Sequence, residues 1–154
     1  MLWPFLIATL AAPLLAMGSE TWPGLAPCAL CLWQRWPYWV AAALLGLGLA
    51  LSGRARRLAL VAAGLAVWGS AAVAGLHVGV EWGWWPSPLP ACLAPGAGAA
   101  TSIEEMMRGL AAAPAKPCDE AAYFFPWMPL SVAETNLIYA TLLGGLLLRR
   151  ARRD

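Results

Sequence analysis

Charge is what this chain has least of. Only 12% of its 154 residues are charged, whereas 61% are hydrophobic, and the formal net charge is +2. A soluble domain of this composition would lack the polar groups needed to cover its surface. So small a net charge also gives no electrostatic basis for a nucleic-acid partner. The composition therefore indicates an integral membrane protein, and the length leaves room for one domain, residues 1–154.

Four apolar stretches divide the chain, at about residues 2–18, 36–52, 58–80 and 130–148. A helix needs about 20 residues to cross the hydrocarbon core, with about 17 as the lower limit. Because lipid offers the backbone no hydrogen-bond partners, each stretch is expected to be helical. The sequence thus predicts an all-α membrane protein, a bundle of four transmembrane helices. The first stretch could instead be a signal peptide, but no basic residue precedes its apolar run.

Arginine predicts the orientation of this bundle. Basic clusters lie in the turn between the second and third stretches and after the fourth stretch: Arg54, Arg56, Arg57, Arg149, Arg150, Arg152 and Arg153. The positive-inside rule assigns both clusters to the cytoplasm. Both termini are then cytoplasmic, and two outward loops, at about 19–35 and 81–129, contain all four cysteines. Most tryptophans fall beside the predicted outer interface, as expected of an aromatic belt.

The second outward loop contains a predicted short helix. Ser102 followed by Glu105 is a capping-box pattern, and Pro114 would end the helix after about residue 113. Its apolar residues Ile103, Met106, Met107 and Leu110 would share one face. We therefore expect an amphipathic helix lying flat on the membrane surface.

The four cysteines, Cys28, Cys31, Cys92 and Cys118, are all expected on the oxidising side of the membrane. Disulfides are favoured over free thiols there, and four cysteines allow three pairings. The simplest pairing joins Cys28 to Cys31 and Cys92 to Cys118. In a structural role, the second bond would close a loop of about 26 residues, worth roughly 3–4 kcal/mol.

The close pair Cys28 and Cys31 is better suited to exchange than to holding a fold, because so short a ring constrains the chain little. If the backbone is helical there, Arg35 lies one helical turn beyond Cys31, and its positive charge would favour the thiolate. Haem attachment is disfavoured because Leu32, not His, follows the second cysteine. A four-cysteine zinc site is disfavoured by the wide spacing of the other pair. No metal site is expected.

His77 and Glu81 lie four residues apart at the outer end of the third stretch. His77 is either a satisfied interfacial histidine or a donor to a bound cofactor. Glu81 is expected to be a solvated charge at a helix end. Further along the chain, Ser131 and Glu134 form a capping-box pattern at the start of the fourth helix.

Three segments resemble the disulfide bond formation protein B (DsbB) family: residues 27–35 with both close cysteines, residues 77–85 and residues 117–120. The resemblance covers nearly the whole chain, since the order of loops and spans agrees as well. The chain departs from the family pattern at residues 123–129, which are longer and richer in proline. This departure concerns the loop expected to dock the protein partner.

The resemblance implies a thiol oxidase of the bacterial inner membrane. Such a protein reoxidises a periplasmic, DsbA-like protein of thioredoxin fold and passes the electrons to ubiquinone or menaquinone. It also implies that Cys92 receives the mixed disulfide, while Cys118 leaves and pairs with Cys28. Cys31 is then released as a thiolate beside the quinone, which Arg35 and His77 would contact.

Two other functions are compatible with the same residues. A membrane scaffold would use both disulfides structurally, and its activity would survive loss of Cys28 or Cys31. A thiol reductase would run electrons in the opposite direction, from a membrane donor to an external disulfide. The direction of electron flow is not encoded in the cysteine spacing itself.

Overall fold

All regular structure in the described part of the chain is helical. The computed structural model describes residues 2–21, 25–92 and 116–154. Five α-helices and one short 3₁₀ turn are found there: α1 (Trp3–Thr21), α2 (Ala29–Trp33), α3 (Trp36–Ala50), α4 (Gly53–Glu81), the 3₁₀ turn Pro90–Cys92, and α5 (Val132–Ala151). The predicted all-α fold is confirmed for these residues. The predicted surface helix at 102–113 lies outside them.

Each of the four predicted apolar stretches contains a long helix. Two of these helices, α1 and α4, are long and apolar enough to cross a membrane. Helix α3 is shorter, with 15 residues, because the chain becomes extended at Leu51 and then turns at Gly53, where φ is 54°. A positive φ favours glycine, which has no Cβ to clash with the backbone.

Helix α4 is the centre of the bundle and packs against both α3 and α5, while α1 packs mainly against α3. The core between these helices contains Leu45, Leu60, Val67 and Leu147, which are fully buried. The outward surfaces are also apolar. Ile7, Leu47, Leu65 and Leu142 are each more than half exposed, from one long helix each. An outer surface of this kind suits lipid and not water.

Helix α5 begins at the predicted capping box. The Ser131 hydroxyl accepts a hydrogen bond from the backbone N–H of Glu134 at 3.1 Å. In return, the backbone N–H of Ser131 donates to the Glu134 carboxylate at 2.8 Å. Two backbone N–H groups are thereby satisfied at the helix start. The capping box also places Ser131 against the end of α4, where it contacts the site described below.

Close contact between α4 and α5 depends on Gly64 and Gly144. A Cβ built at Gly144 would stand 3.1 Å from the carbonyl oxygen of Gly64 and would overlap the Trp68 ring. A Cβ at Gly64 would stand 3.0 Å from Leu148 side-chain atoms. The Trp68 ring is partly exposed and can turn away, but the Gly64 carbonyl belongs to the backbone of α4. Glycine at both positions therefore allows the two helices to approach closely.

Gly144→Ala should lower the stability of the bundle, because its Cβ must push α5 away from the α4 backbone. We expect a loss of about 1–3 kcal/mol, as for other overpacked sites. The measurement is thermal unfolding of the detergent-solubilised protein. Gly145→Ala is the matched control, since nothing lies within 4 Å of a Cβ at that position. Equal stability of the two variants would contradict the close contact described here.

Candidate thiol–disulfide site

Cys28 and Cys31 are held together by a short helix that begins between them. Cys28 is the N-cap of α2, and its sulfur accepts a hydrogen bond from the backbone N–H of Cys31 at 3.1 Å. Both residues are free thiols, and the Cys28 thiol donates to the Cys31 sulfur at 2.7 Å. Cys28 is buried, whereas Cys31 is partly exposed. The cap therefore places two reactive sulfurs in direct contact, with Cys31 the more accessible of the two.

Cys92 and Cys118 form a disulfide, with their Cα atoms 4.9 Å apart. The backbone N–H of Cys118 also donates to the carbonyl oxygen of Cys92 at 3.3 Å. This bond is part of the simplest of the three pairings that the sequence left open. The simplest pairing also joined Cys28 to Cys31, and in this structure those two are thiols in contact.

The two pairs belong to one buried cluster at the end of the bundle where α4 ends. Cys28, Cys92 and Cys118 share this cluster with Leu30 and Val80. His77, from α4, lies where the pairs meet. Its Nε2 atom is 3.5 Å from the Cys28 sulfur and 3.2 Å from the carbonyl oxygen of Cys118. The fold thus brings the two cysteine loops together around one histidine.

The other nitrogen of His77 faces a network of buried polar side chains. The Gln34 amide N–H donates to Nδ1 of His77 at 2.9 Å. The Asn136 amide N–H donates to the Gln34 amide oxygen at 2.7 Å, and the Tyr38 hydroxyl donates to the Asn136 oxygen at 2.7 Å. Asn136 also donates to the Ser70 hydroxyl at 3.2 Å. These contacts join α3, α4, α5 and the turn after α2.

Glu81 is buried, so the prediction of a solvated charge was wrong. Its side chain is 3% exposed. One carboxylate oxygen accepts a hydrogen bond from the Ser131 hydroxyl at 2.6 Å, and the other lies 3.8 Å from Nε2 of His77. The reason is tertiary: the start of α5 packs over the end of α4 and covers the carboxylate.

Arg35 lies beside Cys31 and forms an ion pair with Glu20 of α1. The backbone between Cys31 and Arg35 is not one continuous helix, because α2 ends at Trp33 and Gln34–Arg35 form a turn before α3. The charge nevertheless acts on the cysteine. The pKa of Cys31 is lowered, first by the hydrogen bond from Cys28 and then also by the Arg35 guanidinium. The pKa of Cys28 is raised by its hydrogen bond to Cys31 and by burial.

A cavity of about 190 Å³ opens next to Cys31 and Arg35. Apolar residues of α1 and of the loops at 25–27 and 122–124 form much of its wall, and its polar side chains include Gln34, Tyr38 and Asn136. An apolar cavity of about 150 Å³ can hold benzene, so this cavity has room for a single ring. His77 is not on the cavity wall. It lies behind Gln34, which separates its ring from the cavity.

Three side chains of types that can bind a metal also lie together in the described residues, although no metal site was expected. The ligand atoms of Cys28, Cys31 and His77 all lie within 4.8 Å of one another. Two thiolates bound tetrahedrally to zinc at about 2.3 Å would stand roughly 3.7 Å apart. The two sulfurs here are 2.7 Å apart. Their spacing therefore suits sulfur–sulfur chemistry better than metal coordination.

Sequence reasoning identified the cysteines, Arg35 and His77, but it missed the residues that position them. The sequence does mark three of them, Tyr38, Ser70 and Asn136, because they are polar residues within predicted spans. A polar side chain at membrane depth needs a partner inside the protein, and it marks a functional region by default. Glu20 gave no such signal, because it lies at the boundary of the first loop.

Fold and site define a helical membrane protein of the thiol–disulfide class. A family model described as Disulfide bond formation protein DsbB matches residues 1–149, so the chain belongs to the DsbB family. Membership implies disulfide oxidoreductase activity and a location in the membrane. Comparisons with curated proteins and with solved structures gave no match.

Cys31 should react with iodoacetamide at lower pH than Cys28. The thiolate is the reactive form, and the pKa of Cys31 is lowered while that of Cys28 is raised. Labelling is mapped by mass spectrometry across a pH series, in protein whose other two cysteines are replaced by Ser. Arg35→Met should shift the labelling of Cys31 to higher pH.

Arg56→Met is the control for this shift, since Arg56 pairs with Asp154 at 3.9 Å, far from the cysteines in the fold. Labelling of Cys28 before Cys31, or an equal shift in both arginine variants, would contradict the electrostatic description of the pair.

Proposed function

We propose that the chain is a protein-disulfide:quinone oxidoreductase, a membrane thiol oxidase. It reoxidises a periplasmic protein of the DsbA type, with a thioredoxin fold, and passes the electrons to ubiquinone or menaquinone. The observation that carries this proposal is the meeting of both cysteine pairs around His77, beside a cavity that Cys31 and Arg35 line. A purely structural pair of disulfides would require neither the contact nor the cavity.

The Cys92–Cys118 disulfide is the entry point in this proposal. A thiolate of the reduced partner attacks the sulfur of Cys92, and the electron pair of the broken bond leaves on Cys118. When Cys28 and Cys31 are bonded, the Cys118 thiolate attacks Cys28 and releases the Cys31 thiolate. Resolution of the mixed disulfide by the second thiol of the partner completes the partner's oxidation and releases Cys92. Attack of Cys92 on Cys118 restores their disulfide and frees Cys28, and the Cys28–Cys31 bond would re-form as the electron pair passes to an acceptor. Each step moves one electron pair between sulfurs.

In this proposal the electrons leave the protein from Cys31, because it is the cysteine that lines the cavity. The positive charge of the Arg35 guanidinium lowers the pKa of Cys31 and so favours its thiolate form. The same cation would polarise an oxygen of a bound ring. The ring would also be held by hydrogen bonds from the side chains of Gln34, Tyr38 and Asn136, which line the cavity. His77 would act on it only through Gln34.

Quinone fits this site in chemistry and in size. The cavity is mainly apolar, it has room for one ring, and its wall contains the Cys31 thiol together with a few polar side chains. Sulfur exchange alone moves disulfides without making new ones. A quinone, when bound, supplies the two-electron acceptor that the net oxidation needs.

The proposed membrane arrangement has four spans, α1, α3, α4 and α5, with both termini in the cytoplasm. Apolar side chains cover the outside of each long helix. Arginine clusters lie at the α3–α4 turn and at the end of α5, whereas the cysteines lie at the other end. Several tryptophans at the cysteine end are more than half exposed, as interfacial tryptophans are: Trp33, Trp36, Trp82, Trp84 and Trp127.

Cys31→Ser should abolish turnover. With purified protein, a reduced thioredoxin-like substrate and a quinone, the quinone absorbance should fall as substrate thiols disappear. We expect a loss of at least about 100-fold in the variant, because the electron pair has no thiolate from which to leave. Arg35→Met should instead raise the KM for quinone, with Arg56→Met as its matched control.

The same assay distinguishes the alternatives. A scaffold with structural disulfides would leave quinone consumption unaffected by Cys31→Ser. A reductase would make substrate thiols appear with a reduced quinone and would not consume thiols with an oxidised one. Either result would remove the proposed oxidase.

The proposed orientation predicts which side of the membrane each loop faces. In a cysteine-free chain, Ser87→Cys should react with a membrane-impermeant maleimide added to spheroplasts, because Ser87 lies in the outward loop. Ser52→Cys, in the α3–α4 turn, should react only after the membrane is permeabilised. The reverse pattern would place the cysteine pairs on the reducing side, where the proposed oxidase cannot work.

A further inference from the structure

His77 is held between the two cysteine pairs and is almost fully buried, with its side chain 3% exposed. Its Nε2 atom points at the place where they meet, 3.5 Å from the Cys28 sulfur and 3.2 Å from the Cys118 carbonyl oxygen. In the part of the chain that the structure describes, the Cys118 backbone makes one hydrogen bond to a long helix, and its partner is His77 of α4. Its other backbone hydrogen bond goes to Cys92. The rest of the Cys118 segment, at 116–131, has no regular structure.

The ring of His77 is fixed in both orientation and protonation. A glutamine amide nitrogen can only donate, so Nδ1 of the neutral ring accepts from Gln34 and the ring proton is on Nε2. Gln34 is fixed in turn by Asn136, and Asn136 by the Tyr38 hydroxyl. This chain of donors ends with an N–H aimed at the Cys118 carbonyl and the Cys28 sulfur. The hydrogen bonds therefore hold the His77 ring in one orientation on α4.

We propose that His77 is a positioning residue for the exchange between the two cysteine pairs. By donating to the Cys118 carbonyl, it holds the main chain of Cys118 beside Cys28. The step that it favours is attack of the Cys118 thiolate on the Cys28–Cys31 disulfide. The Cys28–Cys118 bond forms, the Cys28–Cys31 bond breaks, and the electron pair leaves on Cys31, with no net change in protons or electrons. This role deepens the proposed function and rests on it.

The consequence is a high effective concentration of Cys118 at Cys28. Bringing two loops together costs chain entropy, and a fixed hydrogen bond to one loop lowers that cost before the sulfurs react. Exchange between the pairs should therefore depend on His77. Formation of the Cys28–Cys31 bond should not, because a short helix already holds those two sulfurs in contact.

The test uses full-length protein with Cys31→Ser and Cys92→Ser, so that Cys28 and Cys118 are its remaining cysteines. Equilibration in glutathione redox buffers, followed by alkylation and mass spectrometry, gives the effective concentration of one thiol at the other. We expect His77→Ala to lower this value at least about tenfold. His77→Asn retains an amide donor near the same place and should restore part of the loss.

The control places His77→Ala in a chain with Cys92→Ser and Cys118→Ser, where Cys28 and Cys31 can pair. Their effective concentration should change less than about twofold. An unchanged Cys28–Cys118 equilibrium would overturn the proposal. An equal fall in both pairs would also overturn it, because that result describes general loosening of the bundle.

Gln34→Leu is a second variant in case His77→Ala does not fold. It leaves His77 in place but removes the donor that fixes its ring, so a smaller fall in the Cys28–Cys118 value is expected. No change in this variant would show that the network does not position the ring. Neither quinone nor a protein partner is present in these measurements, so their outcome is separate from that of the turnover assay.

Discussion

Hydrogen bonding among buried polar side chains is the constraint on which this bundle depends. A polar atom surrounded by apolar helices has no water to bond, so it must find its partner on a neighbouring helix. Asn136 does this for three elements at once, through Tyr38 on α3, Ser70 on α4 and Gln34 in the turn before α3. An amide at one position of α5 thereby connects the turn after the first cysteine pair to two other helices.

The charged side chains at the site also have partners within the protein. Arg35 makes the Cys31 thiolate easier to form, yet an unpaired guanidinium near lipid would be expensive. Glu20, at the end of α1, supplies its counter-ion. The Glu81 carboxylate is likewise covered by the Ser131 hydroxyl. Arg35 thus has a charged partner in Glu20, and Glu81 has a hydrogen-bond donor in Ser131.

Features determined by local pattern could be predicted from the sequence. The apolar stretches, the Ser131–Glu134 capping box and the Cys28–Cys31 motif each depend on residues close together in the chain. The network of Gln34, Asn136 and Ser70 depends on which helix faces join, and periodicity does not determine that pairing. The burial of Glu81 was missed for the same reason. Its cover comes from α5, which begins fifty residues later along the chain.

The cap of α2 couples helix stability to sulfur chemistry. Cys28 caps this helix of 5 residues with the same atom that reacts. A lost cap typically weakens a helix by about 0.5–2 kcal/mol, a large fraction for one so short. In the proposed exchange that sulfur turns toward Cys118, so the amide of Cys31 would lose its acceptor and the first turn of α2 would loosen. The Cys31 thiolate released in the same step would then have more freedom to move than the capped helix allows.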